Sequence, residues 1–215
     1  MSLTLYFHPL SSFCFKVLTA LYENDTPFTT HLVNLGDPDS RNAFLKIWPV
    51  GKFPVLRDES RNWTVPESTI IIEYLAQHFP GPSKLVPVDA DLARQVRMRD
   101  RFYDLHIHNH MQRIIGDRIR PVDQKDPYGV EQARTAMNTA LGMTDQEMKT
   151  KQWAVGDTFT MADCAALPAL FYGSKVVPFT EQHKHTAAYL QHLTERPSVA
   201  RVLKEAEPFM HLFPK

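Results

Sequence analysis

Hydrophobic residues along the N-terminal part of the chain follow two alternating spacings. Short apolar or β-branched runs are typical of strands, and they lie at Leu3–Phe7, Phe28–Leu35, Pro54–Arg57 and Trp63–Val65. Helical spacing follows the first run from Phe13 to Leu21, a helical turn is expected near Ser40–Ile47, and a third apolar helical face begins at Ile70. The order βαβ followed by ββα predicts a small mixed sheet covered by helices.

After Asp91 the strand pattern disappears and long helical patterns replace it. The helices expected there are Asp91–Gly116, Gly129–Lys149, Thr160–Lys175, Glu181–Arg196 and Val199–Ala206. Between Phe79 and Asp89, several prolines and a glycine interrupt every periodicity, which is typical of a linker. The sequence thus predicts a thioredoxin-like α/β domain at 1–80, a linker at 81–90 and an all-α domain at 91–215.

Charge and cysteine content narrow the range of partners. Lys plus Arg equals Asp plus Glu at 24 each, so no overall field favours nucleic acid or an anionic membrane. There are 2 cysteines, Cys14 and Cys164, and the N-terminus has no leader pattern. The longest nearly apolar run, Cys164–Gly173, is about half the length that a transmembrane helix needs. A cytoplasmic protein with reduced thiols and small-molecule ligands is therefore expected.

The junction between the first strand and the first helix carries small hydroxyl side chains. The strand runs into Pro9-Leu10-Ser11-Ser12-Phe13-Cys14, where the helical spacing begins. The start of a helix presents unpaired N–H groups and the positive end of its dipole, and both stabilise an anion. A thiol placed beside Ser11 can therefore be held as the thiolate, which is the nucleophilic form.

Two further motifs stand where such a site would need them. Gly51-Lys52-Phe53-Pro54 opens an apolar run, and Glu67-Ser68 begins the next amphipathic helix. Together with the Ser11 junction, they resemble the glutathione-binding domain of the cytosolic glutathione S-transferase family, in its serine-type bacterial form, and the resemblance extends over nearly the whole chain. It implies a cytoplasmic detoxification enzyme, a homodimer without a metal, which transfers the glutathione thiolate to hydrophobic electrophiles.

The resemblance assigns the thiol-binding role to one of three hydroxyls. Ser11 corresponds to the serine that donates a hydrogen bond to the glutathione sulfur, and this lowers a thiol pKa that is about 8.5 in free solution. Ser12 is the alternative, because some bacterial members carry a cysteine in that register, and Tyr6 is a further one. An ordinary helix cap is the competing interpretation of both serines. Cys14 is expected to be a buried helix residue.

The same resemblance assigns the remaining glutathione contacts. A cis peptide at Phe53-Pro54 would pair its backbone groups with the cysteinyl residue, although an ordinary trans proline opening an edge strand competes. Ser68 and the N–H groups beside it would receive the γ-glutamyl carboxylate, and Glu67 would pair with its ammonium. A simple helix start with a cap and a favourable acid explains that pair equally well. Lys52 and Arg41 are the candidates for the glycyl carboxylate.

A histidine-rich stretch in the first long helix of the second domain has several interpretations. His106 and His110 lie four apart on one helical face, but no further zinc ligand has a recognisable spacing. The resemblance makes this helix a wall of the acceptor-substrate pocket, with Tyr103, His106 and His110, joined by Phe171 and Tyr172, facing the electrophile. A solvated or dimer-facing helix surface is the competing interpretation.

The sequence also carries a second family motif, one departure from the family pattern, and features that leave alternative functions open. Thr160 and Asp163 resemble the family's capping box, which is a folding device. In another loop, Trp48 precedes Pro49 at a position where the family commonly has asparagine. Ser11-Ser12 also resembles the serine pair of glutathione-dependent isomerases of the maleylacetoacetate type, although Phe13 replaces the cysteine that follows it there. A non-catalytic protein that binds glutathione or apolar ligands, and a structural role, are the remaining alternatives.

Overall fold

The computed structural model describes residues 2–214 and confirms the predicted α/β plus all-α fold. The strands are β1 Leu3–Phe7, β2 Thr29–Leu32, β3 Val55–Asp58 and β4 Trp63–Pro66. The helices of the sheet-containing part are α1 Ser12–Glu23, α2 Pro38–Ile47 and α3 Ser68–His78. The helical part contains α4 Ala90–Phe102, α5 Asn109–Arg118, α6 Pro127–Met148, α7 Met161–Gly173, α8 Lys184–Thr194 and α9 Pro197–Ala206. A π-helical segment, Tyr103–His108, connects α4 to α5 without a break.

The sheet has the strand order β2-β1-β3-β4, with β1 parallel to β2 and antiparallel to β3. Successive side chains of a strand point to opposite faces. Leu56 of β3 accordingly packs into the large core that α1 and α3 share with the helical part, whereas its neighbour Val55 packs against Phe44 of α2. The sheet is therefore covered on both faces, and β4 forms one of its edges.

An irregular stretch, 79–89, separates α3 from α4. The division into domains at 1–80 and 91–215 stays a prediction, and its outer ends at Met1 and Lys215 lie outside the described residues. Short 3₁₀ turns occur at Val122–Gln124, Glu181–His183 and Glu207–Leu212. In the part of the chain that the structure describes, no helix is both long and apolar enough to cross a membrane.

Helix α7 lies at the centre of the helical part, with every residue buried except Phe171. The predicted capping box is confirmed at its start, where the Thr160 N–H donates to the Asp163 carboxylate at 2.8 Å. The same carboxylate accepts from the Ala154 N–H at 2.8 Å and from the Tyr189 hydroxyl at 2.6 Å. Burial raises the pKa of Asp163, while these hydrogen bonds stabilise its ionised form. One buried carboxylate thus joins α7, α8 and the loop before them.

A buried ion cluster joins α1 to the helical part. The Lys16 ammonium, which is 0% exposed, lies 2.6 Å from Asp100 and 2.8 Å from Asp104, and it donates to the Thr69 hydroxyl at 2.8 Å. Thr69 in turn donates to Asp100 at 2.7 Å. Burial raises the pKa of Asp104, an effect that the Lys16 charge opposes. Each buried charge therefore has a partner on the other side of the interface.

Candidate functional site

The turn between β1 and α1 places the first-turn N–H groups of α1 beside a polar hollow. Ser11 is the N-cap residue, with extended backbone angles, and its carbonyl accepts the Cys14 N–H at 2.9 Å. Its hydroxyl makes no capping hydrogen bond. Burial raises the pKa of the Cys14 thiol to about 12, against the opposing hydrogen bonds to Ser11 and His8, so this cysteine stays protonated. Cys14 is 0% exposed, which confirms it as a buried helix residue.

A first cavity, of about 460 Å³, collects residues from the three separate sequence motifs. Its walls are Phe13, Leu35, Gly51, Lys52, Phe53, Pro54, Glu67, Ser68, Asn109 and Gln112. The Phe53-Pro54 peptide is cis, the form that the family resemblance implies, and not the competing trans form. Positively and negatively charged side chains, backbone groups and a helix start thus surround one volume, which suits a flexible ligand that carries charges of both signs.

The start of α3 has an unusual backbone at the wall of this cavity. Glu67 is the N-cap residue and has φ 68°, in the left-handed region that a glutamate rarely adopts. Such a conformation costs on the order of 1–3 kcal/mol and is typical of ligand-binding positions. Ser68 follows in the first turn of α3, and no acidic side chain lies in that turn. The N-terminus of α3 is therefore open to a carboxylate from outside the chain.

A second cavity, of about 140 Å³, lies against the first. Its walls are Leu10, Ser12, Met111, Gln112, Ile115, Tyr172, Leu212, Phe213 and Pro214. Gln112 belongs to both cavities, so it marks the boundary between them. The Tyr172 hydroxyl donates to the Leu10 carbonyl at 2.9 Å, and its ring stacks on Phe213 at 5.5 Å. The second cavity is mostly apolar and is closed on one side by the C-terminal segment.

A buried serine and histidine meet at the boundary between the cavities. Ser12 Oγ lies 2.5 Å from His108 Nε2, and the two residues are 5% and 1% exposed. Burial, with a smaller contribution from the Lys16 charge, lowers the pKa of His108 to about 4. The imidazole is therefore neutral at physiological pH. Within residues 2–214, its other nitrogen, Nδ1, has no hydrogen-bond partner.

The structure brings five of the predicted glutathione contacts together and separates one. Lys52, Phe53, Pro54, Glu67 and Ser68 all line the first cavity. The exposed Arg41 lies instead in a neighbouring hollow, which shares the walls Leu35 and Gly51 with the first cavity. Ser12 lines the second cavity, whereas Ser11 lines neither cavity and is the N-cap residue of α1.

The residues predicted to face the electrophile are placed differently from the expectation. Tyr172 lines the second cavity, but Tyr103 is 2% exposed and lies in the helical core, a correction to its predicted position. The exposed His106 packs on Phe102 at 5.4 Å. Neither His106 nor the half-buried His110 lines either cavity. Phe171, too, lies outside both and packs on Phe15 at 5.9 Å.

The π-helical segment explains this difference. Extrapolation from an ordinary α-helix places Tyr103, His106 and His110 along one wall, but a π segment forms i→i+5 hydrogen bonds and accommodates more residues in a turn. In an α-helix, residues four apart rotate gradually around the helix axis. With a π segment in the helix, such residues can keep facing the same neighbouring helix. Asp100, Asp104 and His108, followed by Gln112, form such a row toward α1. Sequence reasoning missed His108, and this polar row at four-residue spacing was the available signal.

In residues 2–214, no group of three or more His, Cys, Asp or Glu side chains is arranged to hold a metal ion.

Comparison with known proteins identifies two matching families that together span most of the chain. Residues 5–83 match the family described as "Glutathione S-transferase, N-terminal domain", and residues 102–197 match "Glutathione S-transferase, C-terminal domain". A glutathione S-transferase-like protein of Fusarium is 30% identical over 165 residues, which cover 74% of this chain and 71% of that protein. Glutathione S-transferase GstB of Escherichia coli K12 is 25% identical over 189 residues, or 87% and 91% of the two chains.

Solved structures give the same result for the fold. A glutathione S-transferase of Methylobacterium radiotolerans, in complex with glutathione sulfonate, superposes with a TM-score of 0.80 at 26% identity and covers 93% of each chain. A glutathione S-transferase of Methylobacillus flagellatus with glutathione bound has a TM-score of 0.84 at 24% identity, over 94% of this chain and 98% of that one.

Proposed function

We propose that this chain, which belongs to the glutathione S-transferase family, transfers the glutathione sulfur to an electrophilic carbon of a hydrophobic acceptor. The observation that carries the proposal is the first cavity, in which Lys52, Glu67 and Ser68 lie beside the start of α1. Glutathione offers a carboxylate at each end, one ammonium and a central thiol. The cavity matches that distribution of charge from end to end.

The γ-glutamyl end of the tripeptide binds at the start of α3. Its carboxylate accepts from the first-turn N–H groups and the Ser68 hydroxyl, where the helix dipole stabilises negative charge. Glu67 pairs with the ammonium, and its left-handed backbone directs the chain into the helix at this point. The exposed Lys52 pairs with the glycyl carboxylate. Arg41, from the neighbouring hollow, adds a longer-range positive charge to that end.

The thiol then lies at the start of α1. Ser11 donates a hydrogen bond from its hydroxyl to the sulfur, because that hydroxyl is not used to cap the helix. The helix dipole adds to the same effect, and together they lower the thiol pKa so that the thiolate forms near neutral pH. Ser11 keeps its own proton throughout, since its role is that of a hydrogen-bond donor.

The acceptor binds in the second cavity, next to the sulfur. Leu10, Met111 and Phe213 give this cavity its apolar walls, and Tyr172 supports it through the bond to Leu10. Holding both reactants in adjacent volumes makes the reaction effectively unimolecular, which can lower the barrier by several kcal/mol. This arrangement supports transferase activity over simple storage of an apolar ligand.

A homodimer in the cytoplasm forms the rest of the proposal. Beside the edge strand β4 is a groove of about 570 Å³, lined by Trp63, Ile70 and Arg97 among others. Trp63 is 54% and Ile70 52% exposed, so the groove presents apolar surface for a second copy of the chain. Light scattering after gel filtration should give twice the mass of the chain, whereas a monomer at micromolar concentration would contradict this part of the proposal.

Turnover and binding test the activity separately. Glutathione and 1-chloro-2,4-dinitrobenzene are assayed with wild type, Ser11→Ala and the remote, exposed control Thr139→Ala, and calorimetry measures binding of S-methylglutathione. We expect Ser11→Ala to lower kcat/KM about tenfold or more while binding persists, and the control to match wild type. Binding without turnover in the wild type would favour sequestration, and absence of binding would favour a structural role; either result would overturn the proposal.

A further inference from the structure

The hollow beside the first cavity, called the Arg41 hollow below, has a volume of about 340 Å³. Its walls are Leu35, Arg41, Leu45, Val50 and Gly51. Leu35 and Gly51 also line the first cavity, and Lys52 follows Gly51 in the chain. Glu67 and Ser68, at the γ-glutamyl end of the first cavity, do not line the hollow. The Arg41 hollow therefore adjoins the end of the first cavity that receives the third residue of the tripeptide.

The wall that the two volumes share consists of backbone at one position. Gly51 has φ 69°, in the left-handed region that favours glycine. Its N–H donates to the Trp48 carbonyl at 2.9 Å, which holds the turn in this conformation. A Cβ atom at this position would lie 3.1 Å from Leu45 Cδ2, which belongs to another wall of the hollow. Gly51 thus leaves the boundary between the first cavity and the Arg41 hollow free of a side chain.

The other walls of the Arg41 hollow combine one cation with apolar side chains. Val50 is 59% and Leu35 37% exposed, so both present methyl groups that the chain itself leaves uncovered. Arg41 is exposed, and within residues 2–214 it forms no salt bridge. In the same part of the chain, no acidic side chain lines the hollow. A short aliphatic arm that ends in a carboxylate matches this combination, because a guanidinium binds carboxylates well.

We propose that the Arg41 hollow binds the side chain of the third residue of the thiol substrate, so that γ-glutamylcysteinyl tripeptides with an acidic third residue are a second class of thiol substrate. This inference rests on the proposed transferase activity. In γ-Glu-Cys-Glu, which represents the class, the α-carboxylate keeps the position of the glycyl carboxylate beside Lys52. The additional carboxylate extends past Gly51 and pairs with Arg41. Arg41 then touches the substrate and is a specificity-determining residue.

The added side chain changes binding and leaves the chemical step as it is. The cysteinyl residue of such a peptide stays at Phe53 and the start of α1, so its thiol reacts as the glutathione thiol does. Glycine has no side chain, and glutathione itself therefore leaves the Arg41 hollow unused. The preference for an acidic third residue should appear in KM and in the dissociation constant, while kcat stays within about twofold.

Three tripeptides that differ only in the third residue test this assignment. γ-Glu-Cys-Glu has the additional carboxylate, γ-Glu-Cys-Gln has a neutral amide of similar size in its place, and glutathione has neither. Calorimetry measures binding of their S-methyl derivatives, and turnover is assayed with 1-chloro-2,4-dinitrobenzene. We expect wild type to bind the glutamate peptide about two- to fivefold more tightly than the glutamine peptide, which is the range for an exposed ion pair. Addition of about 0.5 M NaCl should reduce that difference.

Charge variants of α2 separate a local contact from the overall field of the protein. Arg41→Gln should reduce the ratio of the two dissociation constants to about one, and Arg41→Glu should invert it, so that the glutamine peptide binds more tightly. Lys46→Gln is the matched control, because it removes the same charge from another exposed position of α2, outside both the hollow and the first cavity. The control should leave the ratio unchanged. Each ratio comes from one preparation, so the folded fraction cancels.

Three results would overturn the inference while leaving the transferase activity intact. These are equal binding of the glutamate and glutamine peptides by wild type, a preference that persists in Arg41→Gln, or a preference that Lys46→Gln abolishes as completely as Arg41→Gln does. Failure of the wild type to bind S-methylglutathione, or to turn over glutathione, would instead contradict the proposed function itself, so the two failures are distinguishable.

Discussion

Replacing Lys16 with methionine removes the cation that connects α1 to the helical part of the protein. Its ammonium lies 2.6 Å from Asp100 and 2.8 Å from Asp104, and both it and the Asp100 side chain are 0% exposed. Removing one partner of a buried pair leaves an uncompensated charge and costs about 3–5 kcal/mol. For a chain of this size, a loss of 1 kcal/mol lowers Tm by about 2–4 °C, so the expected decrease is about 6–20 °C.

Thermal unfolding followed by tryptophan fluorescence measures this decrease at pH 7.5, with Lys46→Met on the exposed face of α2 as the control. Restoring charge balance in Lys16→Met/Asp100→Asn/Asp104→Asn should recover part of the loss. The decrease should also be smaller at pH 5, because burial already raises the pKa of Asp104 and protonation removes the uncompensated charge. A Tm of Lys16→Met within about 2 °C of the Tm of the control would refute the reasoning.

Three further predictions concern stability and glutathione binding. Asp163→Asn should lower the free energy of unfolding by roughly 2–3 kcal/mol in a urea titration, since the carboxylate accepts from Ala154, Thr160 and Tyr189; an unchanged midpoint would contradict its capping role. The pKa of His108 is lowered to about 4, whereas that of a histidine in the unfolded chain is about 6.5. The contribution of His108 to stability is therefore fully present above about pH 6.5 and is lost as the pH falls toward 4. In urea titrations over that range, the free energy of unfolding should fall more for wild type than for His108→Leu. Glu67→Gln should raise KM for glutathione about tenfold with kcat nearly unchanged, since its partner is the distant ammonium; a fall in kcat alone would count against that contact.

The sequence was sufficient for the order of elements and for the gathering of Phe53, Glu67 and Ser68 around one cavity. Strand and helix periodicities are local signals, and so are the caps and prolines that position Phe53, Glu67 and Ser68. Each of these residues lies at the end of an element that a mixed sheet brings to one edge. Local patterns therefore placed all of them around one cavity, even though the motifs are far apart along the chain.

The acceptor side could not be predicted in the same way, because it depends on how one long helix faces another domain. The expectation for Tyr103 assumed regular α-helical spacing through the segment that is π-helical. His108 contacts Ser12 because it belongs to the row that begins at Asp100 and faces α1. The π-helical segment ends at His108, the histidine that contacts Ser12.

The ionisation of the thiol of bound glutathione tests the central claim most directly. The ultraviolet absorbance of the thiolate is titrated for the complexes of wild type and Ser11→Ala. If the start of α1 and the Ser11 hydroxyl stabilise the thiolate, the apparent pKa in the wild-type complex should lie at least about one unit below the free-solution value of about 8.5, and Ser11→Ala should return it most of the way. An apparent pKa equal to that of free glutathione in the wild-type complex would contradict the account.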